Sequence, residues 1–253
     1  DSGQTFPVSD TTAVALGDLD GDGDLDALVA NWVDEANEVW LNDGTGAFTR
    51  SSHTLGSMHS LAIALGDLDS DGDLDVVAGN WNQPNWLYRH SGGGVFAKSD
   101  ITTDAHYTWS VALGDMDNDG DLDVVAGNGA SQANRLYYND GAGDPFNTLG
   151  GDNISADGHD TLSVALGDVD KDGDLDLISG NYNQANRLVL NNGTATPFSG
   201  ANGSDVSSDS HNTRAVSLGD VDGDGGLDLI AGNDGEVNRL VASGGGPIPA
   251  SGW

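Results

Sequence analysis

One nine-residue segment, Asp18-Leu19-Asp20-Gly21-Asp22-Gly23-Asp24-Leu25-Asp26, recurs four more times along the chain, starting at Asp67, Asp115, Asp168 and Asp220. The starts are 49, 48, 53 and 52 residues apart. A unit of that size does not bury a core alone, so five similar units must stack against one another. Each copy places a carboxylate at position 1 (Asp18, Asp67, Asp115, Asp168, Asp220), position 3 (Asp20, Asp69, Asp117, Asp170, Asp222), position 5 (Asp22, Asp71, Asp119, Asp172, Asp224) and position 9 (Asp26, Asp75, Asp123, Asp176, Asp228). A glycine at position 6 supplies the left-handed backbone that a sharp turn needs. Carboxylates at alternate positions of a tight turn converge on one point. That many hard oxygen donors suit Ca²⁺, which accepts six to eight oxygens, better than Mg²⁺, which keeps its water and an octahedron.

The flanks separate this loop from an EF-hand, which requires a bidentate Glu at position 12 and helices on both sides. Position 12 is Val29, Ala78, Ala126, Ser179 or Ala231, and the residues after each loop are short apolar runs that read as strands. The loop therefore joins β to β. Position 7 holds Asp24, Asp73, Asp121 and Asp174 but Gly226 in the fifth copy, so it is expected to offer a backbone carbonyl, leaving positions 1, 3, 5 and 9 as side-chain ligands. About five Ca²⁺ ions are expected.

A D-x-D-x-D-G-x-x-D loop between strands, preceded by A-L-G-D and followed by L-x-x-x-G-N, resembles the FG-GAP/VCBS repeats of integrin α-subunit propellers and of many bacterial extracellular proteins. The resemblance covers all five repeats. It implies a calcium-binding β-propeller and says little about the ligand, since such repeats serve adhesion receptors, lectins and modules attached to polysaccharide-acting enzymes.

The repeat period fits one propeller blade per unit in a single domain over residues 1–253, with metal loops at 18–26, 67–75, 115–123, 168–176 and 220–228. Cysteine is absent, and bound metal is a natural substitute for disulfides in an oxidising, calcium-rich setting. No apolar run is long enough to span a membrane, no signal peptide is visible, and a start at Asp1 suits a processed secreted protein or an excised domain. The formal net charge is -33, but 24 of the 38 Asp lie inside the five loops. Five Ca²⁺ would cancel about ten of those charges. Only eight Lys and Arg are present and they form no patch, which excludes nucleic acid as the natural partner.

The expected fold is all-β: a five-bladed propeller of four-stranded blades. Residues 14–17, 64–66, 111–114, 164–167 and 216–219 are small enough to crowd an axis as inner strands. The stretch after each metal loop makes the second strand, and residues 37–41, 85–89, 134–138, 186–190 and 238–242 the third. Phe48, Phe96, Phe146 and Phe198 mark the fourth strands, while Phe6 precedes the first inner strand. On that pattern the N-terminal segment pairs with the last blade and closes the ring, covering a free edge.

This layout puts all metal loops on one face. The opposite face carries the loops between second and third strands, framed by Asn31 and Asn37, Asn80 and Asn85, Asn128 and Asn134, Asn181 and Asn186, and Asn233 and Asn238. Recurrent framing Asn is the mark of side-chain hydrogen bonds that hold a turn. The residue after the first Asn varies: Trp32, Trp81 and Tyr182 in three repeats, Gly129 and Asp234 in the others. With Asn82, Gln83, Asn183 and Gln184 beside them, these rings suit a sugar, because an aromatic face covers the C–H face of a pyranose and amides bond its hydroxyls. The competing reading is that the rings only pack over neighbouring blades.

His106, His159 and His211 lie nine residues before a metal Asp, and His59 eight before. They read either as ligands of a transition metal at the axis or as hydrogen bonds at a blade edge, repeated because the blade is repeated. Glycoside hydrolysis needs two spare carboxylates, for which Asp34, Glu35, Glu38, Asp234 and Glu236 are the candidates on the ligand face. Arg135, Arg187 and Arg239 occupy matching third-strand positions, where they read either as binding carboxylates of an acidic polysaccharide or, the favoured reading in so acidic a chain, as pairing internally. The expectation is a secreted, non-enzymatic binding module, its partner a glycan first, an extracellular protein second, with a polysaccharide-acting enzyme third.

Overall fold

The computed structural model describes residues 4–6, 9–32, 35–57, 59–146, 150–206 and 210–248. The chain forms two compact units, one of residues 1–108 and 139–150, the other of residues 109–138 and 151–253. Among the described residues there are strands and turns and no helix.

In the first unit, β1 (Thr11–Gly17), β2 (Asp26–Asn31), β3 (Ala36–Asn42) and β4 (Phe48–Ser57) form an antiparallel meander in chain order. The second repeat follows the same plan with β5 (Ser60–Gly66), β6 (Asp75–Gln83), β7 (Trp86–His90) and β8 (Phe96–Asp100), after which β9 (His106–Gly114) begins. The second unit continues with β10 (Asp123–Asn128), β11 (Arg135–Tyr137) and β12 (Asp152–Asn153). The fourth repeat there is β13 (Thr161–Gly167), β14 (Asp176–Gln184), β15 (Arg187–Val189) and β16 (Ser204–Asp205). The fifth has three strands among the described residues: β17 (His211–Gly219), β18 (Asp228–Asn233) and β19 (Arg239–Val241).

The second strands of the first four repeats are buried on both faces, which is why they read as continuous apolar runs rather than as an alternation. Within each unit, sheets of successive repeats pack face to face. Leu19, Leu28 and Val39 of the first repeat meet Val76, Ala78, Trp86 and Tyr88 of the second. Met116, Val125 and Leu136 meet Leu177, Val189 and Phe198, and Val169, Ile178 and Leu188 meet Leu229 and Val241. Burying one such Leu or Val contributes about 1.5–3 kcal/mol, so most of the fold's stability lies in these junctions. The Gly ending each inner strand makes the approach possible. A Cβ on Gly17 would come within 2.7 Å of Leu74 and 2.9 Å of Leu65 in the next repeat. Gly114 and Gly167 are crowded in the same way, by Leu175 and Leu166 and by Leu227 and Leu218.

Two expectations from the aromatic pattern are corrected. Phe6 does not mark an outer strand of the last repeat. Its ring meets Trp40 edge-on at 4.6 Å and lies 5.8 Å from Phe48, while Gln4 Oε1 accepts from the Phe48 N–H at 2.9 Å, so the segment caps the first sheet. Phe146 and Phe198 also fail as strand markers. Both are buried in turns, and the fourth strands β12 and β16 come six residues later and are two residues long. Pro145 and Pro197 precede these two rings where Ala47 and Val95 stand in the first two repeats. A proline lacks the N–H of a strand ladder, so the chain turns there and uses the Phe as a plug.

Candidate functional site

Four of the metal loops close hairpins of one register: Gly17 pairs with Asp26, Gly66 with Asp75, Gly167 with Asp176 and Gly219 with Asp228. The turn needs two left-handed residues, not one. Position 6 is always Gly, with φ from 86° to 100°. Position 4 is Gly21, Ser70, Asn118, Lys171 or Gly223, at φ of 82°, 59°, 61°, 67° and 78°. That second requirement escaped the sequence reading because no single residue type occupies it.

The aspartates divide by role. Position 1 caps its own loop: Asp18 Oδ1 accepts from Gly21 N–H at 2.8 Å and Asp22 N–H at 3.1 Å, and Oδ2 from Gly23 N–H at 3.0 Å. Position 9 is a buried latch between strands. Asp26 accepts from Leu19 N–H at 2.8 Å and Asn42 N–H at 2.7 Å, Asp75 from Leu68 and His90, Asp176 from Val169 and Asn191, and Asp228 from Val221 and Ser243. Position 3 is the strained one. Burial holds Asp20, Asp69, Asp117 and Asp170 above the usual carboxylate range, with neighbouring loop aspartates adding to the effect. Asp69 Oδ1 and Asp117 Oδ1 are buried and accept no hydrogen bond. Burial also pushes Asp75 and Asp176 up to about 6.

In every loop, carboxylate oxygens of three aspartates lie within 4.8 Å of one another: Asp18, Asp20 and Asp22; Asp67, Asp69 and Asp71; Asp115, Asp117 and Asp123; Asp168, Asp170 and Asp176; Asp220, Asp222 and Asp228. Three anionic groups at that spacing, with an orphaned buried oxygen in the second and third loops, fit a hard divalent cation that would neutralise them and cross-link the hairpin. Position 7 stands outside all five groups. Asp174 instead accepts from Asn118 of the preceding loop at 2.6 Å, while Asp24, Asp73, Asp121 and Gly226 join no cluster.

At the opposite end the framing Asn residues lock each loop. Asn80 N–H donates to Asn85 Oδ1 at 3.0 Å, and Asn80 Nδ2 to Pro84 O at 2.8 Å. The same pair of bonds forms from Asn31, Asn128, Asn181 and Asn233. A hydroxyl missed by sequence reading completes the lock. Thr11, Ser60, Thr161 and Thr213 each donate to the first Asn, at 2.8 to 3.1 Å. The residue after that Asn meets the preceding loop through its backbone N–H, Trp32 to Asp10, Trp81 to His59, Tyr182 to Asp160 and Asp234 to Asn212, and its side chain takes no part in the Asn lock. Its side chain is therefore free to vary.

In the first unit Trp32 and Trp81 meet edge-to-face at 5.6 Å, His59 lies 4.8 Å from Trp32, and Tyr107 meets Trp81 at 4.6 Å. All four are half-buried, with Asn82 exposed and Gln83 half-buried beside them. Tyr107 was not anticipated, because it enters from the following repeat. In the second unit Tyr182 is exposed, with the Arg214 guanidinium 5.7 Å from its ring, and Asn183 is exposed beside it. Gly129 carries no ring because the Trp109 indole occupies the space, 2.7 Å from where a Cβ would lie.

The histidines sit at sheet edges. His106 pairs with Gln83 and His211 with Gln184 as strand partners, and His211 Nδ1 contacts Glu236. His159 is half-buried before β13, and no metal-type cluster among the described residues contains a histidine. Arg187 pairs with Asp157 at 2.6 Å and Asp205 at 2.5 Å, and Arg135 bonds Asn153 at 2.6 Å. Glu38, expected on the ligand face, is instead buried in β3, where Arg50 lies at 2.7 Å and the Trp40 indole donates at 3.0 Å. Asp34 lies outside the described residues.

Among solved structures, the chain is similar to an Agrocybe aegerita lectin described as recognising non-reducing terminal N-acetylglucosamine, at 18% identity and a TM-score of 0.58, covering 92% of this chain and 67% of that one. It is also similar to the V. cholerae biofilm matrix protein Bap1, at 15% identity and a TM-score of 0.55, covering 95% of this chain but 39% of that one. No curated protein matches the sequence. These likenesses agree on the propeller fold. Residues 18–78, 67–126, 115–179 and 168–231 match the FG-GAP-like repeat, and the chain belongs to that family.

Proposed function

We propose that this chain is an extracellular, calcium-loaded binding module without catalytic activity, and that it takes carbohydrate through the loops opposite the metal hairpins. The observation that carries this reading is the half-exposed aromatic group Trp32, Trp81 and Tyr107 with the amides of Asn82 and Gln83 beside it. Rings and amides together match the two kinds of surface on a pyranose. Tyr182 with Asn183 and Gln184 offers a second, smaller platform of the same kind. The fold is one on which a lectin has been built.

Calcium is the cation proposed for all five hairpins, since the clustered donors are carboxylates without His or Cys. A non-enzymatic role is supported by the engagement of the spare carboxylates: Glu38 with Arg50, Asp234 with Arg214, and Glu236 with His211. The test is a glycan array in calcium, followed by titration of any hit against Trp81→Ala. Glycan binding that survives Trp81→Ala would overturn the aromatic group as the site, and an array with no hit while an extracellular protein binds would overturn the carbohydrate reading in favour of a protein partner.

A further inference from the structure

Between the outer edge of the third repeat and the turn at residues 196–200 of the fourth lies a cavity of about 270 Å³, and every residue lining it belongs to the second unit. Its origin is the short outer strand. β12 pairs with β11 only at Arg135 with Asn153 and Leu136 with Asp152. In the second repeat the ladder runs on, and Arg89, the equivalent of Tyr138, is covered by Ala97. Where β12 stops, buried Leu136, Ile154 and Phe198 close the floor, and half-buried Tyr138 stands as a wall. A second hollow of about 300 Å³ adjoins the first, since both are lined by Ile154 and Phe198.

The rim is polar. The Tyr138 phenol donates to Asp152 Oδ2 at 3.3 Å, while Asp152 Oδ1 and the Ser199 hydroxyl have no protein partner among the described residues. Repetition of the blade does not account for this pair. The register that aligns the third and fourth repeats puts Leu190 in the place of Tyr138 and Ser204 in that of Asp152.

We propose that this cavity is a binding site for one ring of a neutral sugar, distinct from the ring group of Trp32, Trp81 and Tyr107 in the first unit. The C–H face of the pyranose lies against Tyr138, and its hydroxyls bond Asp152 and Ser199. An aromatic wall over an apolar floor covers the one kind of surface, and a carboxylate with free lone pairs accepts from neighbouring hydroxyls on the other. A volume near 300 Å³ is the lower end for small-molecule sites, which suits a single ring rather than a long chain. Asp152 and the formal net charge of -33 repel an anionic sugar.

Amide NMR of the calcium-loaded chain tests this, with methyl glycosides of glucose, galactose, mannose and N-acetylglucosamine as probes and methyl glucuronide as the anionic control. At least one neutral glycoside should shift the amides of Asn153, Ile154, Ser199 and Gly200 and saturate at about millimolar concentration, while the glucuronide leaves them in place. Tyr138→Leu and Asp152→Ser install the residues that the fourth repeat carries at the same positions, so both suit the fold. Each should weaken that glycoside about tenfold, and Trp81→Ala should leave the shifts unchanged. Shifts confined to the loops of Trp32 and Trp81 would overturn this site while leaving the aromatic group standing. No shift with any neutral glycoside, a glucuronide that binds as well, or a titration unchanged in either folded variant would also overturn it.

Discussion

The two ends of each sheet repeat five times, yet they resolve their polar groups in opposite ways. At the metal end, position 3 is left with more carboxylate than the protein can satisfy, down to the orphaned oxygens of Asp69 and Asp117. At the other end, two Asn residues and a hydroxyl satisfy one another and leave the side chain after the first Asn outside the lock. A deficit repeated in four of the five loops suits a site that something external completes. A closed lock with one free position marks a scaffold on which recognition can vary. On the proposed reading, metal goes to the first end and a ligand to the second.

The largest effect should come from the metal end. At a hundredfold excess of calcium over its dissociation constant, each site adds about 2.7 kcal/mol, so five independent sites approach roughly 13 kcal/mol. Chelation is expected to lower the melting temperature by tens of degrees in a calorimetric scan. An unchanged melt in a metal-free sample would erase the contrast between the ends. The pH slope sharpens the same point. Burial raises Asp75 and Asp176 from 3.8 to about 6 in the fold, so folding favours their protonated forms. Their stabilising contribution is present below about 4 and is lost as pH rises through about 6. The chelated protein should therefore melt higher at about pH 5 than at about pH 7, whereas the calcium-loaded protein should melt lower, because protons compete with the ion.

Next in size is the Asn lock. Asn80→Ala removes the donor to Pro84 and the acceptor for Ser60 in a buried site, and should cost about 2–4 kcal/mol in denaturant unfolding with calcium affinity unchanged. A loss of calcium sites in that variant would show the two ends to be coupled. Smaller still, Trp32→Ala, Trp81→Ala and Tyr182→Ala should each weaken glycan binding by about 1–3 kcal/mol, measured by titration. If the rings serve packing alone, the Trp changes should instead lower stability by about 3–5 kcal/mol and leave affinity untouched. The smallest effect is expected for Asp73→Asn, since position 7 stands outside the carboxylate groups. Its calcium affinity should fall less than that of Asp69→Asn in a competition titration.

Much of this site is legible because its determinants are local. Ligand spacing within nine residues and paired Asn within seven are set by the turns themselves, so Asp18 to Asp26 and Asn80 with Asn85 announce their roles in any copy. The left-handed position 4 is equally local but illegible, since Gly21, Ser70 and Lys171 share no chemistry. The His reading illustrates the limit from the other side. Sequence offered a metal or a sheet-edge role for His106 and His211, and pairing with Gln83 and Gln184 shows the edge geometry.

Aromatic residues are where sequence reading failed, and the reason is physical. A Phe or Trp is placed by whatever apolar surface lies within reach, and that surface belongs to distant parts of the chain. Phe6 reads as an outer strand of the fifth repeat but finds Trp40 and Phe48 in the first. Phe146 and Phe198 keep their spacing yet leave the ladder, because a preceding proline denies them a strand N–H. Tyr107 joins Trp81 only because β9 runs beside β6. Backbone turns and ligand loops are written in short-range sequence, where steric and hydrogen-bonding rules act over a few residues. Which faces meet, which rings cluster and which hollows stay open depend on non-directional burial between segments about fifty residues apart, and that is resolved only when the sheets stack.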